Sequence, residues 1–311
     1  MSESRVDVVT GGFSYTGRFI ARRLLADGRR VRTLTNHSNR PGTEDLRAEL
    51  EVEPLQFEDR TRLVSALRGA DTLYNTYWVR FPHGGLGFDR AVANTRLLMQ
   101  AAAEAGVRKV VHISVSNPSL DSPLAYYAGK AQAEELVKES GLAWAIVRPT
   151  LVFGPGDILI NNIAWLLRRM PLFAMPGLGH YHLQPVAADD VAAIAVAASA
   201  QEEHAIVDAA GPETVTFAEL VDQIAIAVQR RPPFLYLPPS LLIPAGEVIG
   251  LFVRDVVLTR QELEGLMTEL LVSAEPPRGT TRFDDWLLEY GDKLGMSYAS
   301  ELDRHFRKGI R

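Results

Sequence analysis

Val6-Asp7-Val8-Val9-Thr10-Gly11-Gly12-Phe13-Ser14-Tyr15-Thr16-Gly17 is the stretch whose reading decides the fold. A β-branched run, residues 5–10, reads as a strand, and residues 17–26 read as a helix stopped by Gly28. Between them lies a turn of small residues. Gly11 allows the turn to be tight, and Gly17 allows the helix to pack closely on the strand. The first turn of a helix has N–H groups without helical acceptors, and these favour an anion. A strand, a glycine-rich turn and a helix start in this order form a cradle for a dinucleotide diphosphate.

Working outward, the same alternation continues. Residues 30–35, 52–57, 71–76, 109–114 and 143–148 read as strands. Residues 43–50, 60–67, 88–105 and 125–140 read as helices, the last three ended by Gly69, Gly106 and Gly141. Strands buried on both faces and separated by helices predict an α/β fold with a doubly wound parallel sheet. After Pro149 the rhythm changes. A helix carrying Trp165 and Arg168 precedes a loop at 175–179, and short strands near 183–186 and 205–208 alternate with helices at 189–200 and 217–228. The chain is then Pro-rich from Arg230 and mostly helical after that. Residues 1–150 are expected to form an NAD(P)-binding domain, its sheet completed by segments around 183–210. Residues 151–311 are expected to form a smaller, mostly helical cap that shapes a substrate pocket.

Composition narrows the function classes. The net charge of −5 gives no electrostatic footprint for nucleic acid. With no cysteine, thiolate catalysis and Cys-ligated zinc are excluded. His180 and His182 stand without a carboxylate cluster, so no metal site is expected. The segment 1–7 is polar and runs into the first strand, which predicts no signal peptide and a cytoplasmic location. Charges and prolines interrupt the apolar stretch 234–257, so no spanning helix is expected. The stretch 251–271 is assigned to core or subunit packing, a homodimer being one such arrangement.

Several side chains carry candidate chemistry. The second strand ends Thr35-Asn36-His37-Ser38-Asn39-Arg40, where an NAD site usually has an acidic residue for the ribose diol. Asn36, Ser38 and Arg40 suit a 2′-phosphate instead, which favours NADP over NAD. Tyr126 and Lys130 are four residues apart on one helix face. An ammonium near a phenol stabilises its phenolate, and a phenol so tuned can exchange a proton with a carbonyl or hydroxyl oxygen during hydride transfer. Lys130 is also in reach of a nicotinamide ribose, and Ser114 or Ser116 can polarise the reacting oxygen. The alternative for the pair is an exposed lysine beside a core tyrosine, and for the serines a turn. Trp78, Arg80, Phe81 and His83 follow strand four, and Asn161, Asn162 and Trp165 follow strand six. Of these, Trp78, Asn161 and Trp165 are the candidate substrate contacts.

The turn 10–17, the Tyr126/Lys130 pair, and the passage from 91–105 through Gly106-Val107-Arg108-Lys109 together resemble the short-chain dehydrogenase/reductase superfamily in its extended or atypical branch. Arg148-Pro149-Thr150-Leu151-Val152-Phe153-Gly154-Pro155-Gly156-Asp157 and Gln184-Pro185-Val186 with Asp189-Asp190-Val191 add to the resemblance. The nearest group includes NmrA-like regulators, an accessory subunit of respiratory complex I, and epimerase/dehydratase-type proteins. The resemblance implies adenine contacts at Gln56 and Phe57, cofactor contacts at Asn75, Thr76 and Tyr77, and a nicotinamide-side run at Pro149, Thr150, Leu151 and Val152. This chain departs from the pattern at Ser14, which replaces a glycine, at the bulky Tyr77-Trp78, and at Val115, which replaces a hydroxyl. Three readings follow: an NAD(P)-dependent oxidoreductase or epimerase acting on a small molecule, a non-catalytic nucleotide-binding module, or an assembly factor whose C-terminal helices bind a partner.

Overall fold

The computed structural model describes residues 6–256 and 259–305. The segment 1–5, including the expected start of strand one at Arg5, lies outside the described residues, as do 257–258 within the stretch 251–271. In chain order the elements are β1 (Val6–Thr10), α1 (Tyr15–Ala26), β2 (Arg30–Leu34), α2 (Glu44–Glu49), β3 (Glu51–Glu53), α3 (Arg60–Leu67), β4 (Ala70–Asn75), α4 (Phe88–Glu104), β5 (Lys109–Ile113), α5 (Ala125–Lys138) and β6 (Ala143–Pro149). There follow β7 (Leu151–Phe153), α6 (Leu159–Arg169), β8 (Phe173–Pro176), β9 (His182–Leu183) and β10 (Pro185–Ala187). The rest comprises α7 (Ala188–Ala200), β11 (Ala205–Ala209), β12 (Val215–Thr216), α8 (Phe217–Ala227), β13 (Phe234–Leu237), α9 (Pro239–Val253), α10 (Arg260–Met267), α11 (Phe283–Tyr290) and α12 (Glu301–His305).

The chain divides into two compact units, the first made of residues up to Pro149 together with Ala188–Ala209. Its seven strands form one sheet in the order β11-β6-β5-β4-β1-β2-β3. Every pairing in it is parallel. The order reverses at β1 and β4, and in such sheets ligands bind outside the carboxyl ends of the strands at that reversal. Val8, Leu73, Val110 and Ile146 share one sheet face and pack with Leu63 and Leu67 of α3, Leu98 and Met99 of α4, and Val137 of α5. Burying such side chains away from water is the main force holding the helices to the sheet.

Two expectations need correction here. Strand three stops at Glu53 rather than running to Phe57. Pro54 has no N–H to give a ladder, and Leu55 bonds a side chain instead: Asn36 Nδ2 donates to its carbonyl (2.8 Å) and its N–H donates to Asn36 Oδ1 (3.2 Å). The strands near 183–186 do not complete the large sheet either. β9 pairs with β12, and β10 pairs with β7, within the second unit, so β11 alone extends the sheet. The second unit has its own core, including Phe153, Ile163, Leu167, Phe173, Met175, Leu220, Ile224, Phe283 and Trp286. Among the described residues no helix is long and apolar enough to cross a membrane.

Candidate active site

The turn after β1 has the geometry its residues predict. Gly11 takes a φ of +66°, its N–H donates to Leu34 O (2.9 Å), and its carbonyl accepts from Ser14 N (2.7 Å). The N–H of Gly12 donates to Thr33 Oγ1 (2.7 Å), tying the turn to β2. A Cβ on Gly17 would stand 2.1 Å from the carbonyl oxygen of Gly11, so only glycine lets α1 start this close to the strand. Ser14 is the residue before α1, and its side chain makes no capping bond to the helix. The amides that open the helix at Tyr15, Thr16 and Gly17 have no helical acceptors, which suits a diphosphate. Phe13 is a correction: its side chain is a core group, 2% exposed, so only its backbone is available to a ligand. Tyr15 lies edge-on to Phe19, and the Arg18 guanidinium covers both rings at 5.3 and 5.1 Å.

The stretches expected to contact adenosine are more engaged in the fold than the sequence suggests. Both polar atoms of the Asn36 amide are spent on Leu55, so this side chain braces the loop. Thr35 Oγ1 accepts from His37 N (3.1 Å). Arg40 is half-buried, and its carbonyl accepts from Thr43 Oγ1 (2.7 Å). Gln56 Oε1 accepts from Arg62 (3.4 Å), and Phe57 packs on Tyr77 with ring centroids 4.8 Å apart.

The ends of β1 and β4 are stitched together through Thr10. Its Oγ1 accepts from the N–H groups of Thr76 (2.8 Å) and Tyr77 (3.1 Å), and the Thr76 hydroxyl donates to the Thr10 carbonyl. Asn75 is wholly buried, and its amide faces His112 Nδ1 at 2.9 Å, so its side chain serves the fold rather than a ligand. Tyr77 OH accepts from Asn94 Nδ2 of α4 (2.7 Å), and burial raises its pKa. Neither His112 nor Asn94 stood out in the sequence, because only the strand register and the α4 placement give them partners.

The structure gathers Tyr126 and Lys130 around one aromatic group. Trp78 lies edge-on to Tyr126 (6.2 Å) and stacks on Phe88 (6.3 Å, 12°). The Lys130 ammonium sits 4.8 Å from a Trp78 ring centroid, a cation–π contact. Gly129 makes room for the indole, since a Cβ there would lie 3.2 Å from it. Lys130 is 4% exposed, and its Nζ donates to Ile113 O at the end of β5 (3.0 Å). Burial draws its pKa down to about 7, against the opposing pull of Glu134. Glu134 itself makes a two-point ion pair with Arg148 of β6 (2.9 and 2.6 Å). Ser114, 4% exposed, has a hydroxyl without a hydrogen-bond partner among the described residues, while Ser116 is wholly buried and its N–H donates to Pro149 O (2.9 Å).

Of the nicotinamide-side run, Pro149 closes β6 in the first unit. Thr150, Leu151 and Val152 open the second, where Thr150 Oγ1 donates to Gln184 O (2.6 Å) and β7 pairs with β10. The expected substrate contacts Asn161 and Trp165 have structural partners. Asn161 donates to Ser297 O (3.0 Å) and accepts from Gly295 N (3.0 Å), and Asn162 forms the same kind of two-way bond with Ala299 (2.9 Å each way). Trp165 packs edge-on to Tyr298 (5.3 Å) with Arg169 over its ring. These side chains fasten the segment 295–299 onto α6. His182 Nδ1 meets Glu269 at 2.7 Å, and among the described residues no group of three or more His, Cys, Asp or Glu side chains is placed to hold a metal ion.

Comparisons with known proteins agree with this geometry. Residues 11–155 match a family model described as NAD(P)H-binding. Over 242 residues, 75% of this chain, the sequence is 24% identical to a mitochondrial NADH dehydrogenase [ubiquinone] 1 alpha subcomplex subunit 9 of Arabidopsis thaliana, and it spans 60% of that protein's length. It is 26% identical to a ceramide reductase of Caulobacter vibrioides, covering 78% of this chain and 77% of that one. Among solved structures, the NADPH-dependent quinone oxidoreductase QOR2 of Escherichia coli, complexed with NADPH, superposes with a TM-score of 0.72 at 18% identity, over 93% of this chain and 99% of that one. At that identity the likeness speaks for the fold.

Proposed function

We infer that this chain, whose residues 11–155 match an NAD(P)H-binding family model, is an oxidoreductase or epimerase-type enzyme of the atypical short-chain dehydrogenase/reductase kind that moves hydride to or from a carbonyl or hydroxyl carbon of a small molecule. The observation that carries this reading is the joint placement of Tyr126 and Lys130 on α5, both against Trp78. The dinucleotide supplies or takes the hydride when bound. Tyr126 gives a proton to the substrate oxygen on reduction and takes one back on oxidation. Lys130, held at the end of β5, stabilises the phenolate that remains. Ser114, whose hydroxyl has no partner among the described residues, donates to the same oxygen. The absence of an acid after β2 favours NADP.

A second reading has its own support. Trp78 lies over the Lys130 ammonium, and one relative is named as a subunit of NADH dehydrogenase. In that reading the chain binds the nucleotide without turning it over. The two are separated by comparing the parent with Tyr126→Phe, at saturating NADPH, on a panel of carbonyl compounds and sugar nucleotides. An enzyme loses turnover by about 10²- to 10⁴-fold in the variant while nucleotide affinity stays within about twofold. Nucleotide binding without turnover of any panel member by the parent favours the second reading, and full activity in the variant removes Tyr126 from the mechanism.

A further inference from the structure

His112 is a buried titratable group that the proposed reaction does not use. It is wholly buried on β5, with Asn75 of β4 and Ile146 of β6 beside it in register. The orientation of the Asn75 amide is fixed by a backbone donor. Tyr77 N–H donates to Asn75 Oδ1 (3.1 Å), so Nδ2 is the atom that faces His112 Nδ1 at 2.9 Å. An amide nitrogen only donates, so Nδ1 must accept, and the imidazole proton must sit on Nε2. Nε2 is buried and has no hydrogen-bond partner among the described residues. A buried donor left unpaired is costly, and its persistence calls for an explanation.

The surroundings supply one. The charged group of α5 that acts on His112 is Lys130. Its Nζ bonds the carbonyl of Ile113, the next residue along β5. Ser114, just past the end of β5, also has a hydroxyl with no hydrogen-bond partner among the described residues. From α5, Glu134 offsets the Lys130 charge only in part, because Arg148 holds it from β6. A second charge on the imidazole, without its own counter-ion, would displace the first.

We propose that Asn75 is a positioning residue that, by holding His112 neutral, leaves the positive charge at the end of β5 to Lys130. Asn75, as a donor, closes Nδ1 to protons and locks His112 as the neutral Nε2–H form. An aspartate at position 75 would invite a proton onto Nδ1. It would leave His112 either as an imidazolium or as the Nδ1–H tautomer, with a carboxylate in place of the amide beside it. In both cases the charge on Lys130 changes. This inference gives the proposed reaction a reason for the residues beneath Lys130, and it rests on that reading for its purpose but not for its geometry.

The test needs neither substrate nor turnover, so its failure is distinct from failure of the hydride-transfer reading. Histidine side-chain nitrogens and the lysine Cε are followed by NMR across pH in the nucleotide-free full chain. The parent is expected to show His112 protonated at Nε2, bare at Nδ1, and unchanged from pH 5 to 9. In Asn75→Asp the proton appears on Nδ1, and the Lys130 midpoint moves by about one pH unit or more. His112→Gln, which keeps a side-chain amide donor without a titrating ring, is expected to leave that midpoint within about 0.3 unit of the parent. Both variants are checked for native circular dichroism, and His112→Gln carries the test of the Lys130 midpoint where Asn75→Asp does not fold. A parent His112 protonated at Nδ1, or charged near pH 7, overturns the proposal. So does an unmoved Lys130 midpoint in folded Asn75→Asp, or a shift of a full unit in His112→Gln.

Discussion

Single side chains decide which of the expected contacts are available. After β2 the polar run 35–40 looks in sequence like a set of interchangeable phosphate ligands. In the structure Asn36 is consumed by Leu55, since its amide matches a backbone N–H and C=O and replaces a missing strand partner next to Pro54. That match was not legible beforehand, because it depends on how far strand three runs. Arg40, half-buried, is the arginine of that run. Arginine binds phosphate through paired, charge-assisted hydrogen bonds. Arg40→Ala is expected to weaken NADPH binding about tenfold and to leave NADH within about twofold, as read by calorimetry on both nucleotides. Equal losses for the two nucleotides would show that Arg40 supports the loop and does not read the phosphate. The Tyr126/Lys130 pair was legible because helical spacing alone puts both on one face. His112 was not, because a polar residue inside a strand reveals its partner only through register with β4.

At the scale of an element, the join of β1 to α1 is the part of the fold most fully written in the sequence. Two glycines show that similar symbols carry different weights. Gly106 ends α4 with a φ of +76° and open space around the place of a Cβ. Gly17 has an ordinary backbone, but a Cβ there would sit 2.1 Å from the backbone oxygen of Gly11, which cannot yield without moving the turn. Gly106→Ala is therefore expected to cost about 1 kcal/mol from the left-handed backbone alone and to leave NADPH affinity unchanged. Gly17→Ala is expected to push α1 off the turn and carry away the amides proposed to meet a diphosphate. Its expected cost is about 2–3 kcal/mol or more in stability, with NADPH affinity reduced at least about a hundredfold. Urea midpoints and fluorescence titration with NADPH separate the two effects. A Gly17→Ala protein that binds NADPH as the parent does would remove the turn from the site.

For the molecule as a whole, the sequence made the alternation of strands and helices plain but not where the chain changes units. Residues 205–209 read as a strand, yet their place at the edge of the large sheet depends on α7 returning to the first unit after residues 150–187 have built part of the second. The global stability of that first unit should carry the mark of two buried groups that oppose each other in pH. Asp7 is wholly buried on β1, and although Arg29 lies 2.6 Å away, burial dominates and pushes its pKa up to about 6. Between the usual 3.8 and about 6 the folded chain holds a proton that the unfolded chain has released. The stabilisation from Asp7 is thus complete below pH 3.8 and is lost as pH rises through 6. His112 runs the other way: burial first, and then the Lys130 charge, lower its pKa from 6.5 to about 3. The unfolded chain takes up that proton below pH 6.5 while the folded chain refuses it, so stability falls as pH drops from 6.5 towards 3. Each effect is worth about 1.4 kcal/mol per pH unit, and over the shared window they nearly cancel. Removing one exposes the other. Relative to the parent, Asp7→Asn should gain about 3 kcal/mol between pH 3.8 and pH 7, whereas His112→Gln should gain stability as pH is lowered over the same range. Urea unfolding of parent and variants at pH 4, 5, 6 and 7 reads both slopes, and the shared surface carboxylates drop out of the differences. A pH-independent difference for Asp7→Asn would mean that Arg29 keeps the buried carboxylate ionised throughout, and that the ion pair outweighs burial at the first strand of the sheet.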